Sequence, residues 1–146
     1  MANEITVRIG LTVRKGNLNY QNPIKAYSLT MTGTKGPSPS LLTIPSGGKV
    51  VSFAELATPG MIVITNIDDS TSEKYVVYGM IDLDDTPDKF TPLGEIGPGE
   101  AHVFKLARSL RQEYVGTGTG TTGPSSFFFM KGIGGDVPMQ IDAFEK

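Results

Sequence analysis

Cysteine is absent from all 146 residues, which excludes disulfides, zinc–thiolate sites and thiol nucleophiles. Its absence says nothing about compartment beyond the fact that stability needs no oxidising environment. Tryptophan is absent too, and sugar-binding clefts usually display it. His102 is the only histidine, so a site built from two imidazoles, a His-rich metal site and a cupin-type metal jelly roll are all excluded on count. There is no excess of positive charge: 13 basic side chains face 15 acidic ones, a formal net charge of −2. Nucleic-acid binding rests mainly on neutralising phosphates, so no nucleic-acid partner is expected. Arg8, Arg14 and Lys15 come nearest to a basic stripe, and Arg8 and Arg14 read more simply as the solvated face of a strand. Long apolar runs are missing as well. Met61 to Ile64 and Phe127 to Met130 are the longest, far too short for a membrane span. The opening Met-Ala-Asn-Glu-Ile has neither a basic n-region nor an apolar core, so neither export nor membrane attachment is expected.

What is present is turn punctuation. Eighteen glycines and ten prolines fall singly between short apolar runs, a pattern that suggests a sandwich or barrel. Ile5, Val7, Ile9, Leu11 and Val13 alternate with polar residues, the period of a half-buried strand. Gly16-Asn17 turns the chain, and Tyr27, Leu29 and Met31 mark a second strand. Residues 33–40 and 116–126, rich in Gly, Pro, Ser and Thr, read as loops. Between them the pattern predicts strands at Leu41 to Ile44, Lys49 to Phe53, Met61 to Asn66, Tyr75 to Ile81 and Phe90 to Ile96. Phe53, Leu56 and Ala57 are spaced for one helical turn that Pro59-Gly60 stops. A strand to about Leu106 follows the turn Gly97-Pro98-Gly99, and beyond it Ala107, Leu110 and Tyr114 fit a short helical or irregular piece. Phe127 to Lys131 and Val137 to Phe144 close the chain. The expectation is one all-β domain over residues 1–146, a sandwich of about eight strands, jelly-roll-like.

Motifs that would carry chemistry are weak. The acidic loop Asp82 to Asp88 invites a calcium reading, but Pro87 and Leu93 stand where an EF-hand needs glycine and glutamate. A solvated turn is the simpler reading. Gly118 to Gly123 spells G-x-G-x-x-G, yet Pro124-Ser125-Ser126 and a strand follow instead of a helix. Neither a Walker A motif nor a G-x-S-x-G elbow occurs. Paired carboxylates for glycoside hydrolysis remain open, with Glu55, Asp68, Glu95 and Glu100 as candidates, each beside turn residues. His102 is either a lone general base or an ordinary strand histidine. No catalytic residue, cofactor or metal is expected. Phe127, Phe128, Phe129 and Met130 form the most apolar segment, and these four residues are the candidate protein interface, with core packing as the alternative.

The segment Phe53 to Asp69, followed by Tyr75-Val-Val-Tyr-Gly and Phe90-Thr-Pro-Leu-Gly-Glu-Ile-Gly-Pro-Gly-Glu, resembles small virion proteins of tailed bacteriophages. A strand ending in Asn-x-Asp, a Tyr-Val-x-x-Gly strand and a Pro-Gly-Glu strand opening come in that order. Phe129 to Glu145 is similar to their closing hairpin. The resemblance implies a non-enzymatic capsid cement or decoration protein, assembled in the bacterial host cytoplasm and located in the virion. It implies the major capsid protein or other virion proteins as partners, and a homodimer or homotrimer. A tail, neck or fibre component is the structural alternative. A carbohydrate-binding or hydrolytic sandwich is the alternative from another class.

Overall fold

Alternating side chains dominate the computed structural model, which describes residues 5–31, 36–53, 56, 59–69, 71–83, 87–106 and 126–145. Within these residues there are ten strands and no helix. The chain divides into two compact units, Met1–Thr32 and Gly33–Lys146. The first is an antiparallel hairpin of β1 (Ile5–Lys15) and β2 (Leu18–Leu29). The second contains β3 (Ser38–Ile44), β4 (Lys49–Val50), β5 (Pro59–Asn66), β6 (Tyr75–Asp82), β7 (Lys89–Ile96), β8 (Ala101–Lys105), β9 (Ser126–Ile133) and β10 (Val137–Glu145). Eight of the ten strands therefore lie in residues 33–146, and the other two, in residues 1–32, pair only with each other.

The pairing in the second unit is nested. β3 pairs with β10, β4 with β9, β5 with β8 and β6 with β7, all antiparallel. This is one long ribbon with the β6–β7 hairpin at its tip. Two further pairings, β10 with β5 and β9 with β6, fold the ribbon into two four-stranded sheets. Their orders are β3-β10-β5-β8 and β4-β9-β6-β7. A rolled ribbon that divides into two sheets is a jelly-roll-like sandwich.

Alternation sets the core. Ile62 and Ile64 of β5 and Met139, Ile141 and Ala143 of β10 point inward from one sheet. Val76 of β6 with Phe128 and Met130 of β9 belong to the same buried cluster from the other. Burying such side chains stabilises by about 1.5–3 kcal/mol each, before conformational entropy is set against it. As expected of a central strand, β5 lies between β10 and β8 and buries most of its residues.

Three boundaries differ from the sequence reading. β2 starts at Leu18 rather than near Tyr27, and β3 at Ser38 rather than Leu41. Both early segments contain prolines that suggest loop, but Pro23 sits at a bulge and Pro39 on an edge strand, where a missing N–H is tolerated. β4 shortens to Lys49–Val50, although the Val51 N–H still donates to the Phe128 carbonyl at 2.9 Å. The predicted turn at Phe53 is present as a single hydrogen bond from Leu56 N–H to the Phe53 carbonyl. Ala57, the piece beyond Leu106 and loop residues 116–125 lie outside the described residues.

Candidate protein-interaction surface

In the hairpin one face collects the apolar side chains through an exact count of residues. Ile5, Val7, Ile9, Leu11 and Val13 share one face of β1, since side chains alternate along a strand. Near the base, Ile5 pairs with Leu29 and Val7 with Tyr27; near the tip, Val13 pairs with Tyr20 and Lys15 with Leu18. The apolar residues of β2 are thus odd-numbered at the base and even-numbered at the tip. A regular ladder would send these two sets to opposite faces. A bulge prevents this: Ile9 pairs with Lys25 and Leu11 with Asn22, which leaves Pro23 and Ile24 together opposite Gly10. That extra residue switches the parity of β2 and brings Leu18, Tyr20, Tyr27 and Leu29 onto the face of the β1 row. Thr6, Arg8, Thr12 and Arg14 occupy the other face, as the alternation predicted.

Beyond Val7, which is buried, the apolar face has little cover. Ile9, Leu11, Val13, Leu18, Tyr20 and Tyr27 are each between 36% and 56% exposed; Ile24 in the bulge, 73% exposed, lies against Gly10 on the other side of the hairpin. Seven of the eleven large apolar side chains exposed among the described residues lie in these two strands. A two-stranded hairpin is marginal by itself in water, and an exposed apolar surface of this kind marks an interaction site. Sequence reasoning found the β1 half of this surface as a half-buried strand. Of the β2 half it found Tyr27 and Leu29 and missed Leu18 and Tyr20, where Asn17, Asn19, Gln21, Asn22 and Pro23 imitate a loop.

The segment named from sequence as an interface, with core packing as its alternative, divides between the two faces of its sheet. Phe128 and Met130 lie in the sandwich core, 2% and 0% exposed. Phe127 and Phe129 alternate to the other face of the same sheet. Phe127 is buried, while Phe129 is half-buried and packs edge-on against Phe90 with ring centroids 5.2 Å apart. β9 is flanked by β6 along its length and by β4 at Phe129 and Met130, so it is interior at that point of the sheet.

Three of the titratable candidates, His102, Asp68 and Glu100, are engaged in local structure. The hydroxyl of Tyr78 lies 3.0 Å from Nδ1 of His102, and the Tyr78 ring stacks on Phe104 at 5.6 Å. Burial pushes the Tyr78 phenol above its ordinary 10.0. The Glu100 carboxylate accepts the Gly97 N–H at 2.7 Å. Asp68 accepts from the Asp69 N–H and the Ser72 hydroxyl. Asp69 accepts from the Thr71 N–H and hydroxyl, bonds that hold its carboxyl below the ordinary 3.8. Glu95 stands on β7, and Glu55 lies outside the described residues. Of the acidic loop, residues 84–86 also lie outside them, and no metal-ligating cluster occurs among the described residues. Among those residues, every buried side-chain polar atom has a hydrogen-bond partner.

Comparison with protein-family models, with curated proteins and with solved structures gives no match.

Proposed function

We propose that the protein is a non-enzymatic virion component of a tailed bacteriophage, a cement or decoration protein that binds the assembled head and stabilises it. The observation that carries this reading is the amphipathic hairpin. It displays a continuous apolar face, while the sandwich has a complete core of its own. An element like that is suited to protein contact. Of the residues that a catalytic reading would use, Asp68 and Glu100 are engaged in turns and His102 in the contact with Tyr78.

On this reading the major capsid protein is the partner, and stabilisation follows from mass action: a protein that binds only the assembled shell favours assembly. Many equivalent sites on a symmetric shell add multivalency if the protein is itself oligomeric. The jelly-roll-like sandwich is compatible with this role but hosts many others, so the argument rests on the exposed face.

Shells assembled without the protein supply the test. The purified protein should cosediment with them, saturate, and raise the temperature at which they come apart. Free protein left in the supernatant, together with unchanged shell melting, contradicts the proposal.

A further inference from the structure

Charge on the hairpin is of one sign. Its described residues, 5–31, contain Arg8, Arg14, Lys15 and Lys25 and no carboxylate. Arg8 and Arg14 lie on the polar face, but Lys15 and Lys25 lie on the apolar one, at register positions opposite Leu18 and Ile9. On that face the β1 row is apolar from Ile5 to Val13. The β2 row is apolar only at its ends: Leu29 and Tyr27 stand at the base, Tyr20 and Leu18 at the tip, and Lys25 and Asn22 between them. Lys25 is exposed, and so are Ile9 across from it and Tyr27 next along its row.

A lysine in that position constrains whatever covers the face. Seating an apolar surface on Ile9, Leu11 and Tyr27 takes the neighbouring ammonium out of water, which is unfavourable unless an anion meets it. Lysine is depleted at interfaces for this reason. The hairpin supplies no anion of its own, so the anion has to come from the partner.

From these observations we infer that the hairpin docks on a protein surface that is apolar along the β1 row and carries a carboxylate opposite Lys25, with a second near Lys15 at the tip. This rests on the virion reading and specifies the chemistry of the capsid surface that reading requires. Charge complementarity of this kind fixes register and orientation as well as affinity. Two other anionic partners fit less well. A helix or ribbon lying on lipid keeps its cations on the polar face, whereas half of these stand on the apolar face and one at its middle. Nucleic acid asks for a row of cations along the phosphates, and here the four are divided equally between two faces.

Shells assembled without the protein are the probe. Binding of the full chain should weaken as salt rises, because charge pairs at a rim are screened. Lys25→Met is the decisive variant. It makes the face more apolar, yet it should weaken binding by at least about tenfold, since it leaves the facing carboxylate unpaired. Lys25→Glu should weaken binding further. Arg14→Met, on the polar face, should stay within about threefold of the wild type. Both positions are exposed, and circular dichroism checks that the variants stay folded. A water-soluble carbodiimide, which joins an amine to a carboxylate in contact with it, should link Lys25 to an Asp or Glu of the major capsid protein. Binding by Lys25→Met as tight as that of the wild type overturns the inference and leaves the virion reading standing. So does a complex in which neither Lys15 nor Lys25 is linked to capsid protein. Protein that ignores shells at every salt concentration overturns both, and flotation with phosphatidylglycerol vesicles would then assign the hairpin to a lipid surface.

Discussion

Tyr78 of β6 and His102 of β8 join the two sheets of the sandwich through a hydroxyl-to-imidazole contact of 3.0 Å. The same tyrosine ring lies parallel to Phe104 and within 6.1 Å of Phe128. It therefore ties the sheets by packing and by a polar bond together. Tyr78→Phe keeps the stack and removes the bond, at an expected cost of about 0.5–1.5 kcal/mol by urea unfolding.

The same residue predicts an alkaline weakness. Burial raises the Tyr78 pKa, so the fold favours the protonated phenol. Its stabilising contribution is complete below the unfolded value of 10.0 and is lost as pH rises through the higher folded value. Urea midpoints measured from about pH 8 to about pH 11 should fall less steeply at the alkaline end in Tyr78→Phe than in the wild type. Identical slopes would show that the phenol titrates as freely in the fold as out of it.

Asn66 is a node between three turns. It is fully buried, and its side-chain oxygen accepts the Asp68 N–H at 3.0 Å. Its amide nitrogen donates to the carbonyls of Ile96 at 3.3 Å and Lys74 at 3.5 Å. Its backbone bonds Glu100 and Gly99. Asn66→Ala strands these partners, so a loss of about 2–4 kcal/mol is expected by denaturant titration. A loss of only a few tenths would mean that water replaces the amide at no cost.

Gly48 closes the turn after β3 with φ +86°, and a Cβ there would run into the Phe129 ring. Gly48→Ala should cost about 1–3 kcal/mol from backbone strain and displacement of that ring. Thermal unfolding reads the effect, and an unchanged midpoint would contradict the close approach.

The strands were legible wherever apolar and polar residues alternate strictly, as in Ile5 to Val13 and Val137 to Phe144. The three motifs behind the phage resemblance also have local physical causes. Asn66 and Asp68 form the turn after β5, Gly79 sits where a Cβ would collide with the Thr91 carbonyl, and Glu100 caps the Gly97 turn. Less was legible where a rule is broken. Pro23 and the polar residues from Asn17 to Asn22 hide the start of β2, and the bulge that turns Tyr20 onto the apolar face leaves no simple period. The nested pairing joins β3 to β10 across most of the chain, which no local pattern encodes. Phe127 to Met130 stayed ambiguous for the opposite reason: a run of large apolar residues reads the same whether it is core or interface.

The bulge itself can be tested. Inserting one residue after Gly10 restores a regular ladder, which turns Leu11, Val13, Leu18 and Tyr20 away from the face of Ile5, Val7 and Ile9. Shell binding should drop while the melting temperature of the sandwich stays put. Undiminished binding would show that the continuous apolar face is not what the shell recognises.

Amide hydrogen exchange on the free and shell-bound protein tests the central claim most directly. Free, the β1 and β2 amides should exchange much faster than those of β5 and β10, because a lone hairpin opens readily. On shells assembled without the protein, the β1 and β2 amides should slow sharply. Failure to bind shells, or binding that protects only sandwich strands and leaves the hairpin exchanging as before, would contradict the account.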